Sequence, residues 1–539
     1  MKKSNFLEGA FIATFAIIFT KVLGVIYVIP FYNIIGEQGG ALYGYSYTIY
    51  NFFLSISTVG LPLAISKLTS EYNTLNMTSE KVRLYKISRN LILIFSLVSF
   101  LICFIFAKEV AYLIIGNIEN GNSISDVTFT IRMVSFALLV VPLVSIMRGY
   151  LQGHKYIKEP SVSQVIEQVV RVIVILLGSY LTLRVFHLSL KTAIGISVFA
   201  SCLGGLFAYF YLFDIMRRNK TKLIPSNVSE EKVSNKEIIK KVITYSIPFV
   251  IITCANQIYN STDMILLLRI LGRFGYTGSE IETISSVFTT WGVKINSIVI
   301  AISNGLIISL IPHIVSLYVK KEYGNVNTLF NKCLKIVLLV IIPISVFISV
   351  NSYSVWMIFY GENKFGYLII RLNILLTILD SLYLIVNSLL QSLSKYKILF
   401  TTVGLGIMIN LICDIPMMYL FDYLGLHAFY GAIFATFIGL STSLIIAFRY
   451  LKQELNFSYK STIKLIPRSI INIVILVVIN LLVSLVLPIR SSSRLMQIIN
   501  VGVLGVVSLV IYIILYRNYL EEILPSKVVG MLKKVKVIK

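Results

Sequence analysis

Residues 128–149 read TFTIRMVSFALLVVPLVSIMRG, and this stretch decides the class of fold. Its cations, Arg132 and Arg148, lie toward the two ends, and aliphatic and aromatic side chains fill most of the rest. A helix rises about 1.5 Å per residue, so about 20 apolar residues match a hydrocarbon layer ~30 Å thick. The stretch reads as a membrane span.

Working outward, comparable stretches lie near 8–31, 42–66, 90–107, 161–182, 191–213, 242–268, 285–312, 333–350, 367–390, 398–421, 428–448, 465–488 and 498–516, which makes fourteen with 128–149. The whole chain of 539 residues is 13% charged and 57% hydrophobic. Soluble domains average about 25% charged residues, so lipid must be the solvent for most of this chain. The first stretch follows Lys2 and Lys3 like a secretory signal, but Glu8 and Lys21 interrupt it and no small-residue cleavage site follows. It is expected to be retained as the first span.

The net charge of +24 is unevenly placed. The N-terminus and the alternate connections (67–90, 148–158, 217–241, 320–335, 395–397, 449–468 and 517–539) hold 35 of the 48 Lys and Arg residues. The opposite connections hold 8: Lys108, Arg184, Lys191, Arg269, Arg273, Lys364, Arg490 and Arg494. Basic connections resist translocation. Both termini are therefore expected in the cytoplasm of a multi-pass cell-membrane protein, which requires an even number of spans. The same rule accounts for the excess charge without a nucleic-acid partner.

The segment after span 4, Leu151-Gln152-Gly153-His154-Lys155-Tyr156, is echoed after span 10 by Leu390-Gln391-Ser392-Leu393-Ser394-Lys395-Tyr396. A repeat of six spans keeps its orientation. The expected architecture is two six-helix lobes in parallel pseudo-repeat plus two extra C-terminal helices, within an all-α membrane fold. The lobes are read as 1–225 and 226–450, with spans 13 and 14 and a basic tail in 451–539.

Ionisable side chains at bilayer depth cost at least ~2.5–3.5 kcal/mol and need a partner or a wet cavity. Lys21 sits mid-span 1, and Lys294 lies about ten residues into span 8. Glu167 and Arg171, four apart on span 5, share a helix face and can pair. Arg148 closes span 4, where anchoring and anion capture are both open. Lys21, Arg148, Glu167, Arg171 and Lys294 are candidate contacts for an anionic substrate; Asp263, Asp380 and Asp414 are candidates for coupling to Na+ or H+. Pro30, Pro62, Pro142, Pro248, Pro312, Pro343 and Pro416 fall in or near spans and can bend them. The five cysteines are dispersed without CxxC spacing, the four histidines stand singly, and no GxxxxGK[ST], HExxH or GxSxG occurs. No metal, cofactor or enzymatic chemistry is expected.

Phe6-Leu7-Glu8-Gly9-Ala10, Thr20-Lys21-Val22-Leu23-Gly24, Gly60-Leu61-Pro62-Leu63-Ala64-Ile65-Ser66-Lys67, Val141-Pro142 through Arg148-Gly149-Tyr150-Leu151-Gln152-Gly153, and Ser163-Gln164-Val165-Ile166-Glu167-Gln168-Val169-Val170-Arg171 resemble bacterial polysaccharide exporters. The resemblance is to the branch of stage V sporulation protein B and the MurJ-like lipid II flippases, and it is sharpest in the first 175 residues. It implies a fourteen-helix flippase that carries an undecaprenyl-pyrophosphate-linked cell-wall precursor from the inner to the outer leaflet. It also implies a head-group role for Lys21 and a lipid-tail groove formed by spans 13 and 14. Tyr27 stands where Gram-negative relatives carry a second span 1 arginine, and Lys294 is an approximate match to a span 8 arginine. The expected partners are a lipid-linked anionic glycan and membrane lipids, and a monomer is expected. Export of another lipid-linked oligosaccharide (teichoic acid or capsule) and cation-coupled multidrug export are the alternatives; a non-transporting scaffold would need large extramembrane domains.

Overall fold

The computed structural model of the chain describes residues 15–16, 19–58, 60–116, 121–223, 233–488, 493–516 and 519. The Phe6–Ala10 motif, Arg490 and nearly all of the basic tail lie outside the described residues. Among the described residues all regular structure is helical. Eleven helices are long and apolar enough to cross a membrane, or up to twelve if the bent pair Phe19–Ile26 and Val28–Ser55 counts as one span. Their outer faces carry Ile94, Leu177, Phe210, Ile412 and Ile470, all exposed. Exposed branched and aromatic side chains in such numbers fit hydrocarbon as the solvent, where each backbone group must be satisfied within its own helix. The protein is a multi-pass membrane protein.

The chain packs as two compact units, Met1–Trp291 and Gly292–Lys539. This division by packing falls inside the eighth apolar stretch, whereas the lobes inferred from the repeat divide at 225/226. The first unit begins with α1 (Phe19–Ile26) and α2 (Val28–Thr58). Gly36 breaks α2 with φ +66° and ψ −163°, a conformation that a side chain would strain and that lets the chain turn between the first two apolar stretches. There follow α3 (Gly60–Thr74), α4 (Thr78–Ile105), α5 (Ala107–Ile115), α6 (Ile124–Ser135), α7 (Ala137–Gly153), α8 (Lys158–Tyr180), α9 (Leu190–Arg218), α10 (Lys220–Leu223), α11 (Asn235–Ile270) and α12 (Gly278–Ser286).

Local sequence sets several starts. Ser123 and Asp126 form a reciprocal capping box at α6, and Thr277 and Glu280 form another at α12, each satisfying two otherwise orphaned N–H groups. Leu61, Ile65 and Leu68 of α3 share one core with Leu84 and Ile92 of α4, Val144 and Tyr150 of α7, Leu212 of α9 and Ile238 and Val242 of α11. Burial of this core places α11 within the first unit. Beyond α12 the helix widens to a π segment, Val287–Trp291. Trp291 is fully buried and meets Tyr32 edge-on at 5.1 Å. A Cβ on Gly40 would stand 2.2 Å from its indole nitrogen, so the two helices approach only because residue 40 has no side chain.

The second unit contains α13 (Gly292–Val319), α14 (Tyr323–Ile336), α15 (Ile342–Val350), α16 (Ser352–Tyr360), α17 (Gly366–Ser392), α18 (Tyr396–Tyr423), α19 (Phe429–Glu454), α20 (Lys460–Ile463), α21 (Ile466–Ser484) and α22 (Arg494–Tyr516). Another π segment, Val337–Ile341, joins α14 to α15, and Pro343 follows it. Proline has no N–H, so the carbonyl four residues back, at Leu339, loses its helical donor. The Tyr512 hydroxyl of α22 donates to that carbonyl at 2.6 Å. Pro142 and Pro416 sit inside α7 and α18. Trp356 is buried in α16, and Gly366 leaves room for it: a Cβ there would stand 2.1 Å from the ring.

Candidate functional site

Ser163, Glu167 and Arg171 recur every four residues on α8, so their side chains form one stripe. Gly204 of α9 lets that stripe sit in a close helix contact, since a Cβ there would lie 2.6 Å from the Glu167 carbonyl oxygen. Arg148, near the end of α7, reaches across to the same stripe. Its Nη2 donates to Glu167 Oε2 at 2.9 Å, and its Nε donates to Ser163 Oγ at 2.8 Å. Arg171 Nη2 donates to the other carboxylate oxygen, Oε1, at 2.5 Å, and Nη1 donates to Gln168 Oε1 at 3.4 Å. One carboxylate thus holds two guanidiniums, and the cluster keeps one net positive charge.

The three side chains are mostly shielded, at 13% exposure for Arg148, 11% for Glu167 and 23% for Arg171. Short charge-assisted bonds of this kind are among the stronger ones, and the low-dielectric surroundings raise the cost of losing either partner. Arg148 therefore faces its neighbours in the bundle, held by Ser163 and Glu167. Arg171 Nε is buried without a hydrogen-bond partner among the described residues. The phenols of Tyr43, Tyr47 and Tyr50 lie within electrostatic reach of the Arg171 guanidinium. Tyr43 and Tyr47 stack at 4.4 Å, and the Tyr47 hydroxyl bonds to Ser201. Ser163, Gln168 and this tyrosine row are not among the sequence candidates. The four-residue spacing could have drawn Ser163 in; the tyrosines come from a different helix and carry no local signal.

The helix carrying Lys21 approaches α8 at Gln168. A Cβ on Gly24, one turn after Lys21, would meet Gln168 Nε2 at 3.7 Å. Lys21 itself is exposed. Lys294 belongs to the second unit, half-buried on α13. Of the candidate acids, Asp263 lies half-buried on α11 of the first unit. Asp380 is half-buried on α17 and Asp414 fully buried on α18, both in the second. Among the described residues no group of three or more His, Cys, Asp or Glu could hold a metal ion.

A separate feature occupies the second unit. Pro343, Ile344, Phe347, Leu476, Val477 and Leu509 belong to the lining of a groove of about 420 Å³ between α15, α21 and α22. Its polar lining comes from Asn480, Ser508 and Tyr512. Asn351 Nδ2 donates to Asn480 Oδ1 at 3.1 Å, and Asn480 donates onward to Ser508. These bonds tie α21 and α22 to the end of α15, as buried amides do between membrane helices.

Residues 6–275 match the family model described as polysaccharide biosynthesis protein, about half of the chain. The chain belongs to this family. This member of the polysaccharide biosynthesis protein family is 30% identical over 492 residues to the lipid II flippase MurJ of Bacillus subtilis (strain 168), covering 90% of this chain and 88% of the relative. It is 24% identical over 248 residues to stage V sporulation protein B of the same organism, covering 46% of each. Among solved structures it shares its fold with lipid II flippase MurJ in an inward closed conformation, at a TM-score of 0.69 and 16% identity, covering 94% of this chain and 99% of that one. It also shares the fold of an inward-facing multidrug resistance MATE transporter of the MOP superfamily, at a TM-score of 0.63 and 12% identity, covering 81% and 94%. At such identities the structural matches speak to fold alone.

Proposed function

We propose that the protein is a lipid II flippase that moves an undecaprenyl-pyrophosphate-linked cell-wall precursor from the inner to the outer leaflet by alternating access, without enzymatic turnover. The observation that carries this reading is the near full-length similarity to the Bacillus subtilis lipid II flippase. It is supported by a shielded cluster that keeps a net positive charge at Arg148, Glu167 and Arg171.

In this proposal fourteen spans form two parallel six-span lobes, with both termini in the cytoplasm and α21 and α22 as the extra pair. Lys21, Arg148 and Arg171 of the first unit meet the pyrophosphate, and Glu167 holds the two arginines in place. Guanidinium forks suit phosphate oxygens and replace hydration lost on leaving water. The groove beside α21 and α22 takes part of the lipid tail. A pyrophosphate bearing about two negative charges gains roughly 4–5 kcal/mol on moving outward across ~100 mV, at ~2.3 kcal/mol per charge. Asp263, Asp380 and Asp414 are the acids available to couple Na+ or H+, and the working unit is a monomer.

The deciding experiment is translocation of labelled lipid II by the purified chain in proteoliposomes, scored by exposure of the label to an outside reagent. Accelerated exposure relative to empty vesicles is expected; none in active-orientation vesicles would overturn the reading. One neighbouring reading, export of another lipid-linked oligosaccharide, is consistent with the family description of polysaccharide biosynthesis protein. Complementation of cells depleted of their lipid II flippase separates the two.

A further inference from the structure

Exposed cations line the basic connections of both units, among them Lys86, Arg89, Lys155 and Lys236 of the first, where several others are held by partners. In the first unit Lys81 bonds Asn73, Arg83 bonds Asn235 and the Val233 carbonyl, Lys67 stands over the Tyr245 ring, and Lys241 pairs with Glu71 and Glu237. In the second, the corresponding connections (320–335, 395–397 and 449–468) hold eleven Lys or Arg against two acids, Glu322 and Glu454. Lys332, Arg449, Lys452, Lys460 and Lys464 are all exposed there, and none has an ion pair among the described residues.

These cations are carried on ordered backbone. Between α19 and α21 the chain makes an elbow whose inner side is locked to α14. Asn331 Nδ2 donates to the Ser458 carbonyl at 2.8 Å, while Asn331 Oδ1 accepts from Thr462 Oγ1 at 2.7 Å. Phe457 packs on Phe330, their rings 5.8 Å apart. With Phe457, Thr462 and Leu465 buried, the same elbow leaves Lys460, Ile463 and Lys464 exposed, with Ile463 at 56%. An apolar side chain between two lysines, on a segment anchored from behind, is the pattern of an element lying in a membrane interface.

We propose that this face of the second unit, centred on the elbow 455–465, is a docking surface for acidic phospholipid headgroups of the inner leaflet. Charge complementarity carries the assignment: the surface offers several unpaired cations, and the inner leaflet presents phosphate anions at that depth. The proposal rests on the cytoplasmic placement of these connections and is independent of the transported substrate.

The test uses the full chain in mixed micelles of phosphatidylcholine and phosphatidylglycerol, with co-purified lipid quantified. The wild type is expected to enrich phosphatidylglycerol, and 0.5 M NaCl to remove the enrichment. A basic residue near an acidic surface is worth about 1 kcal/mol, a factor of about five, so K452Q/K460Q/K464Q should lower enrichment at least about tenfold. K452R/K460R/K464R should retain it. The opposite-side control K108Q/R184Q/R273Q, with the same charge removed, should leave it intact. No wild-type enrichment, or equal loss in the control, would overturn the proposal, as would loss in the arginine variant. Labelling of K460C by a membrane-impermeant maleimide should require cell lysis; labelling in intact cells would put the surface on the other leaflet and refute it. Loss of lipid II translocation alone would leave the micelle result standing and count against the flippase reading only.

Discussion

Tyr512 donates its hydroxyl proton to the Leu339 carbonyl, the group that Pro343 leaves without a helical donor. A defect in one helix is thus repaired by a neighbour that also lines the groove. Y512F should lower thermal stability by about 0.5–1.5 kcal/mol, the usual worth of one net hydrogen bond. P343A returns an N–H at position 343, so the cost of Y512F should shrink in that background. Unfolding of the four proteins of the cycle, followed by a fluorescent thermal-shift dye, measures the coupling; strictly additive losses would refute the repair.

Glu167 is the single anion between two arginines, and its removal leaves both unneutralised. E167A is expected to destabilise the first unit by about 3–5 kcal/mol and to cut the yield of folded protein. R148Q/E167Q, which leaves only Arg171 charged, should be milder than E167A. Size-exclusion profiles after heating in detergent would rank the variants, and a double variant as damaged as E167A would contradict the shared-carboxylate arrangement.

The seam at Gly40 has no space to spare. G40A would drive a methyl into the Trp291 indole, and overpacking of this kind costs about 1–3 kcal/mol. W291F removes the atoms nearest to that methyl, so G40A should be better tolerated beside W291F than beside tryptophan. Membrane-inserted yield of the four combinations would show it.

For transport, K21A should abolish lipid II translocation while leaving insertion and thermal stability near wild type, because Lys21 is exposed in the structure. K21R should retain most of the rate, since it keeps the cation. Unchanged translocation in K21A would remove Lys21 from the mechanism.

The driving force can be tested separately. Raising the imposed potential, inside negative, from zero to ~100 mV should accelerate outward transfer of a doubly charged head group, given ~2.3 kcal/mol per charge. A rate independent of potential, together with dependence on a Na+ or H+ gradient, would shift attention to Asp263, Asp380 and Asp414.

Much of the architecture is legible in the amino-acid pattern, for a physical reason. Helices in lipid must be long and apolar, so the all-α membrane class follows from pattern alone. The Glu167–Arg171 pair is legible too, because four-residue spacing puts both on one helix face. Its third member is not, since Arg148 arrives from another helix and only packing brings it to Glu167. The division at Trp291 and Gly292 is equally silent: nothing in the run around 285–312 marks where contacts pass from one unit to the next. The π segments also escape a reading by pattern, because a widened turn has no fixed local sequence.

The chain has two tryptophans. They fall one to each compact unit, Trp291 at the end of the first and Trp356 within the second, and both are fully buried. Intrinsic emission is therefore a label-free pair of reporters, and replacing either indole with phenylalanine isolates the other. Quenching by a bilayer-resident bromolipid or a water-borne iodide could then follow each half of the molecule separately through a transport cycle.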